Sequence, residues 1–194
     1  MRIRLGIGVA LAVVLAAAPA WAATYKIDPD HTTVGFKIRH LFSKVSGTFD
    51  QYEGSFEYAP GQPQLWKAHA TIQAASINTR VAQRDQHLRS KDFFEVETYP
   101  TLEFQSTGVS DVTATSAKLN GTLTIHGVTK PVTLDVQVHG EAKDPWGNTR
   151  SGFTASTTIH RKEFGLTWNE ALETGQLLVG EDVDVTLEVE GIAQ

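Results

Sequence analysis

The chain has 194 residues, no cysteine and a formal net charge of −5 at pH 7. Without cysteine it can form no disulfide or zinc–thiolate site and cannot use thiol catalysis, so packing and hydrogen-bonded ladders must hold the fold. The acidic balance argues against nucleic acid, and against anionic lipid headgroups, as the main partner.

The N-terminal segment has the pattern of a secretory signal peptide. Arg2 and Arg4 precede an apolar run over residues 5–18, and the small residues Ala20 and Ala22 stand at a cleavage-site spacing. The alternative is a membrane anchor, but the run is shorter than the roughly 20 apolar residues of a spanning helix. A cleaved leader is therefore the preferred interpretation.

Cleavage after Ala22 would remove residues 1–22 and leave residues 23–194 as one domain without a membrane span. The loss of Arg2 and Arg4 would change the formal charge from −5 to −7. A leader that begins with arginines and has a short apolar run is typical of bacterial envelope proteins, and we expect a periplasmic location. The oligomeric state is left open, with a homodimer as one possibility.

Beyond residue 23 the dominant pattern is alternation of apolar and polar residues, which is typical of strands with one buried face. The clearest alternating runs are 33–39, 66–73, 118–125, 132–139, 153–159 and 183–190. The link 126–131 has the length of a hairpin connection, so the strands on either side of it should be antiparallel. Residues 78–90 lack alternation and have Val81 and Leu88 at helical spacing, which predicts a short helix.

About eight locally connected strands with one apolar face favour a closed antiparallel barrel over a sandwich. The predicted fold is therefore all-β, with one short helix. A barrel of this size is either filled by side chains or holds one small ligand. Small residues on the apolar face weakly favour a cavity, although packing against large neighbours explains them equally well. These residues are Ala68, Ala70, Gly121, Ala155 and Thr157.

The chain has seven histidines, and none of the spacings between them is typical of two imidazoles on one metal. No metal site is predicted. His31, His40 and His87 stand at strand ends or on the helix, and they can converge at one mouth of the barrel. A weaker hypothesis is that these histidines act with Asp85 as acid and base groups on a lipid-like substrate.

Charge is concentrated in the predicted helix. A solvated helix face is the simplest explanation. Alternatively, Arg80 or Arg84 faces the barrel mouth and meets an anionic head group, because a guanidinium matches phosphate oxygens. Arg84 and Asp85 are adjacent and cannot pair with each other on a helix, so each needs another partner.

Two aromatic residues, Phe93 and Phe94, follow the helix directly and are flanked by charge. They are predicted to form a plug that closes one end of the barrel. The plug is either part of the core or part of a ligand-binding wall.

Several motifs follow one another in a specific order, at residues 25–31, 34–40, 47–49, 54, 76–79, 84–90, 93–94, 99–106 and 121–132. In content and order they resemble the YceI-like family of exported lipid-binding proteins. The resemblance extends from residue 25 to about residue 190. One departure is Asn78, where the family pattern has an acidic residue.

This resemblance implies an extended, lipocalin-like barrel of eight antiparallel strands whose apolar interior holds a long-chain isoprenoid, quinone or fatty lipid. It implies a periplasmic or secreted binding or carrier protein, with no cofactor and no established enzymatic step. A scavenger of apolar toxic compounds remains an alternative. The alternating face and the resemblance together predict a cavity wall of Phe36, Ile38, Trp66, Ile72, Phe93, Phe94, Phe104, Leu123, Ile125, Val136 and Phe153. The expected head-group or structural network is His31, His40, Arg80, Arg84, Asp85 and His87.

Overall fold

The alternating segments form antiparallel strands in the computed structural model, which describes residues 21–173 and 175–194. The predicted leader, residues 1–22, lies outside these residues apart from Trp21 and Ala22. The described strands are β1 (Ala23–Ile27), β2 (Thr33–His40), β3 (Ser43–Phe49), β4 (Tyr52–Tyr58), β5 (Lys67–Gln73), β6 (Ile77–Asn78), β7 (Thr101–Ser110), β8 (Ser116–Ile125), β9 (Val128–Lys143), β10 (Thr149–His160) and β11 (Val179–Ala193), with one helix, α1 (Ala82–Arg89). Within the same residues, no helix combines the length and hydrophobicity needed to span a membrane.

Eight of the strands close into a barrel, as the alternation predicted. Their order is β1–β4–β5–β7–β8–β9–β10–β11, and β11 pairs back with β1. Strand β11 is long enough to serve two neighbours. It pairs with β1 at Gly191–Ala193 and with β2 at Val183–Glu188. The β2–β3 hairpin therefore extends the barrel at one end, and β6 adds to β3 there.

Helix α1 follows β6 at this extended end, which we call the helix end. The predicted helix over residues 78–90 is confirmed but begins later, at Ala82. Residues 77–78 pair with β3 instead, and Arg80 then has a left-handed backbone with φ of 63°. Such a conformation is incompatible with a continuous right-handed helix.

The opposite end of the barrel, which we call the packed end, is filled by aromatic side chains. The Tyr25 ring is fully buried and stacks on Phe56 with centroids 5.0 Å apart. Phe56 in turn meets the edge of Phe153 at 5.1 Å. Tyr25 Oη also donates to Glu141. Burial, and then this contact with Glu141, raise the pKa of the Tyr25 phenol. Stacked and edge-to-face rings of this kind leave little internal space.

Arg150 on β10 joins three acidic side chains. Its Nε donates to Asp144 at 2.8 Å, and its Nη1 donates to both Asp28 and Glu190 at 2.6 Å. The guanidinium holds the pKa of Asp28 and of Asp144 below the usual value. Although Asp28, His31 and Glu190 are close enough to share a cation, Arg150 already supplies the positive charge to both carboxylates.

We expect this network to make the fold acid-sensitive. The folded pKa of Asp28 and Asp144 lies below the unfolded value of about 3.9, so their contribution is complete above about pH 5 and is lost as the pH falls through the folded values. Arg150→Met should lower Tm most at pH 7, and the difference from wild type should narrow towards pH 2. Thermal unfolding followed between pH 7 and pH 2 measures this.

The matched control for this experiment is Lys118→Met, which breaks an exposed ion pair with Asp135 of 2.9 Å. Exposed pairs contribute little, so its Tm should stay close to wild type throughout. A difference between Arg150→Met and wild type that is independent of pH would contradict the assigned role of the network.

Candidate ligand-binding cavity

A cavity of about 590 Å³ occupies the barrel between the helix end and the packed end. One continuous stretch of its wall is β11, which contributes Val183, Val185, Leu187 and Val189. These residues alternate with Asp184, Thr186 and Glu188, so the period of two turns one hydrocarbon face inward and one polar face outward. The volume lies within the range of small-molecule sites, about 300–1,000 Å³.

Small inward-facing residues explain part of this space. Ala70 on β5 and Thr157 on β10 both line the cavity. This agrees with the prediction that small residues on the apolar face leave an internal volume. Gly121 does not line the cavity, because the Phe104 ring lies 2.6 Å from where its Cβ would stand. Ala68 and Ala155 likewise pack with the core cluster towards the packed end. Both explanations of the small residues therefore apply, at different depths in the barrel.

Most of the predicted wall lies on this cavity. The residues that line it are Phe36, Ile38, Ile72, Phe93, Phe94, Phe104, Leu123 and Ile125. The prediction is corrected for Trp66, Val136 and Phe153, which border a recess of about 40 Å³ at the packed end. Alternation identifies the inward face of a strand, but it carries no information on position along the barrel axis.

The predicted aromatic plug lies at the helix end of the cavity. Phe93 is only 8% exposed and lies 5.1 Å, centroid to centroid, from both His87 and Trp168. Phe94 meets Phe49 edge-on at 5.7 Å. Sequence reasoning missed Trp168, because it stands in a segment without alternation or a recognisable motif. The plug is thus both part of the core and part of the cavity wall.

Arg84 and Asp85 meet on a common partner, Thr79. Asp85 is 7% exposed and accepts hydrogen bonds from the Thr79 N–H at 2.8 Å and from its hydroxyl. Arg84 donates to Thr79 Oγ1 at 2.7 Å and to the Thr79 carbonyl at 3.0 Å. Asp85 therefore secures the turn before α1, while Arg84 lines the cavity.

Asn78, at the position where the resemblance leads us to expect an acidic residue, belongs to the same turn. Its Nδ2 donates to Asp50 at 2.8 Å, and its Oδ1 accepts from the Arg80 N–H at 2.9 Å. A carboxylate at this position would face Asp50 without a proton to donate. The amide is thus matched to the neighbouring acid.

The other members of the predicted polar network do not converge. His40 and His87 line the cavity, whereas Arg80 is exposed and does not. His31 lies on the short helical turn Pro29–His31, where its Nδ1 is 2.9 Å from Asp28. The set of His31, His40, His87 and Asp85 proposed for acid–base chemistry is therefore not gathered at one place.

The cavity wall is cationic although the chain is acidic. Among the described residues that line it, the ionisable ones are His40, Tyr52, Arg84, His87 and Arg161, and none is Asp or Glu. Both arginines and both histidines lie towards the helix end. The wall towards the packed end is hydrocarbon, from residues such as Phe104, Val132 and Leu134. The cavity is therefore amphipathic along its length, which suits a ligand with a polar head and an apolar chain.

Sequence reasoning also missed Arg161. It begins the helical turn Arg161–Phe164 directly after β10, and it is only 2% exposed. Its Nε donates to the Gly180 carbonyl at 2.8 Å, and its Nη1 donates to the Leu166 carbonyl. Burial lowers the pKa of this guanidinium. In the sequence Arg161 is one more basic residue in a polar strand terminus, and only its burial sets it apart.

Comparison with known proteins agrees with this arrangement. The model of the YceI-like domain matches residues 25–191. A UPF0312 protein of Pseudomonas putida (strain W619) is 39% identical over 193 residues, which cover 98% of this chain and 95% of that protein. The crystal structure of Campylobacter jejuni YCEI protein has a TM-score of 0.70 at 35% identity and covers 86% of this chain and 96% of its own.

A further structural likeness is to a polyisoprenoid binding domain from Saccharophagus degradans, which is implicated in plant cell wall breakdown. The TM-score is 0.63 at 18% identity, over 89% of this chain and 99% of that domain. At this level of identity the likeness concerns the fold.

Proposed function

Because this chain belongs to the YceI-like family, we propose that it is a binding protein that encloses the chain of a long amphiphile, such as an isoprenoid, in its barrel. The observation that carries the proposal is the cavity of about 590 Å³ with hydrocarbon walls. The Saccharophagus degradans domain supports it as a protein of the same fold that is described as polyisoprenoid-binding.

Burial of hydrocarbon supplies the affinity in this proposal. Each methylene transferred from water contributes about 0.8 kcal/mol, so a chain of a dozen carbons contributes about 10 kcal/mol. This is comparable to the cost of immobilising two molecules, about 4–15 kcal/mol. A chain of several isoprene units would therefore bind, while a single short unit would not.

The distribution of polar groups sets the direction of the ligand. The apolar chain would extend along Phe104, Leu123 and Leu134 towards the packed end, because these side chains offer no hydrogen-bonding group. The polar head would remain near Arg84 and His87 at the helix end. In this orientation the ligand loses no hydrogen bonds from its head group to an apolar wall.

We further propose that the protein acts as a carrier in the periplasm. The pattern of residues 1–22, which predicts a signal peptide cleaved after Ala22, favours export. Enclosure of an apolar chain would keep a lipid out of water between membranes. Cell fractionation with N-terminal sequencing of the mature protein tests this. Recovery of an uncleaved chain in the cytoplasm would contradict it.

The binding function is tested on protein purified from its native host. Extraction with organic solvent and mass spectrometry should recover one long-chain amphiphile in near-stoichiometric amount, chemically unchanged. The stripped protein should then take up an added polyprenol. No recovered ligand together with no uptake would refute the proposal, whereas many weakly bound apolar compounds would indicate a scavenger. Conversion of the added ligand to a product would indicate an enzyme.

A further inference from the structure

Arg161 has one donor nitrogen, Nη2, that the described part of the chain leaves without an acceptor. Nε and Nη1 are bonded to the backbone carbonyls of Gly180 and Leu166. Nη2 is buried and has no hydrogen-bond partner among residues 21–173 and 175–194. Buried polar atoms without a partner are rare in native proteins, and each one calls for a ligand, an ion or a water molecule.

The charge of Arg161 also lacks a direct counterion in the described part of the chain. Glu181 attracts the Arg161 charge from a distance and opposes the lowering of its pKa. Its carboxylate, however, is occupied by other basic side chains: it accepts a hydrogen bond from Lys162 and lies 3.2 Å from His160 Nε2. No carboxylate lies within ion-pair distance of the guanidinium among the described residues. A guanidinium stays protonated even when buried, so a positive charge is held here without direct compensation.

Arg161 lies on the wall of the proposed lipid cavity, together with Arg84. Neither has a described ion pair, and no described carboxylate lines the cavity. Positive charge on both arginines favours an anionic oxygen over a neutral carbonyl, because hydrogen bonds between two charged groups are the stronger ones. The net negative charge of the whole chain does not oppose this, since enclosed groups respond mainly to their immediate neighbours.

We propose that Arg161 is a specificity-determining residue, whose Nη2 donates to an anionic oxygen, of a phosphate or a carboxylate, on the head of the bound amphiphile. The inference rests on the proposed function, since it requires a ligand in the cavity. Arg161 would select among amphiphiles by their head, while the hydrocarbon wall accepts their chains. A buried water on Nη2 is the competing explanation.

Paired ligands test this on the stripped mature protein. The probes are a polyprenyl phosphate against the polyprenol of equal length, and palmitate against hexadecanol. The wild-type protein should bind at least one anion about tenfold or more tighter than its alcohol, and the two pairs distinguish a phosphate from a carboxylate. Arg161→Lys should reduce this preference to about threefold or less, with the affinity for the alcohols nearly unchanged.

The matched control is Arg89→Lys. Arg89 also donates through Nε and Nη2 to backbone carbonyls, those of Ala75 and Ile77, but it does not line the cavity. Its variant should keep the wild-type preference for the anion. A preference lost equally in both variants would show a general effect of disturbed backbone contacts and would overturn the proposal.

The remaining outcomes separate the two proposals. Binding of alcohols and anions with equal affinity by the wild-type protein would overturn the role of Arg161 while the binding function stands. Binding of neither would refute the binding function itself. If Arg161→Lys does not fold, a crystal structure of the wild-type protein with the tighter anion decides. An anionic oxygen within 3.2 Å or so of Nη2 supports the proposal, and its absence, or a water in its place, overturns it.

Discussion

Replacing Leu123 by Arg should lower the affinity for a long apolar ligand by about 100-fold or more. Leu123 lies on the inner face of β8, opposite Phe104 on β7, and lines the cavity. The larger side chain would occupy the path of the ligand chain, and burying its unpaired charge among hydrocarbon would be energetically unfavourable. Fluorescence titration with a labelled polyprenol measures the loss, which corresponds to about 3 kcal/mol.

The matched control is Thr122→Arg, which introduces the same charge on the same strand. Thr122 is not among the residues that line the cavity, and it pairs across the sheet with Gln105 and Pro131. This variant should bind the polyprenol like the wild-type protein. Ala70→Phe, which fills the cavity without charge, should also reduce binding. Normal uptake by both inward-facing variants, with the fold intact, would place the ligand outside the barrel.

Replacing Gly54 by Ala should destabilise the protein by about 2 kcal/mol. A Cβ on Gly54 would lie 2.3 Å from the His69 carbonyl oxygen and 2.9 Å from the Ala70 Cα. Both atoms belong to the backbone of β5, so no side chain can rotate to make room. The two strands would have to separate at the point where Gly54 pairs with Ala70.

Thermal unfolding tests this, and the expected decrease in Tm is roughly 4–8 °C for a domain of this size. Gly108→Ala is the matched control, because Gly108 also lies in a strand and a Cβ there would meet nothing within 4 Å. Glycine within a strand costs conformational entropy, so this control should leave Tm unchanged or slightly raised. Equal Tm values for the two variants would show that β4 and β5 adjust without cost.

The cavity wall shows which structural features the alternation of apolar and polar residues can predict. On β9 the inward residues Val132, Leu134 and Val136 follow one another with a period of two. Val132 and Leu134 line the cavity, whereas Val136 borders the recess at the packed end. The three are equivalent in the local pattern. They differ only in the side chains from other strands that lie opposite them inside the barrel.

Those neighbours come from strands whose local signal is short. Tyr25 on β1 and Phe56 on β4 stack with each other and close the barrel against Phe153. Neither strand was among the clear alternating runs, and their pairing joins residues far apart in the chain. The position at which the cavity stops, at the packed end, is therefore set by long-range contacts.

The polar groups follow the same distinction. The charged segment before and within α1 was identifiable, and Arg84 and His87 lie on the cavity wall. The sequence did not identify which of these residues face inward. Arg84 and Asp85 both hydrogen-bond to Thr79 in the turn before α1, and helical spacing does not predict these contacts. Arg161 had no signal at all beyond its charge.

By itself, the sequence determined the closed antiparallel barrel, the short helix, the family and the inward face of most strands. These depend on local periodicity and on motifs, which neighbouring residues carry. Only the tertiary structure decided where the barrel is filled and where it is hollow, and which cations reach the hollow part. The volume of the cavity and the burial of a side chain depend on residues that meet across the barrel. They cannot be read from a run of adjacent residues.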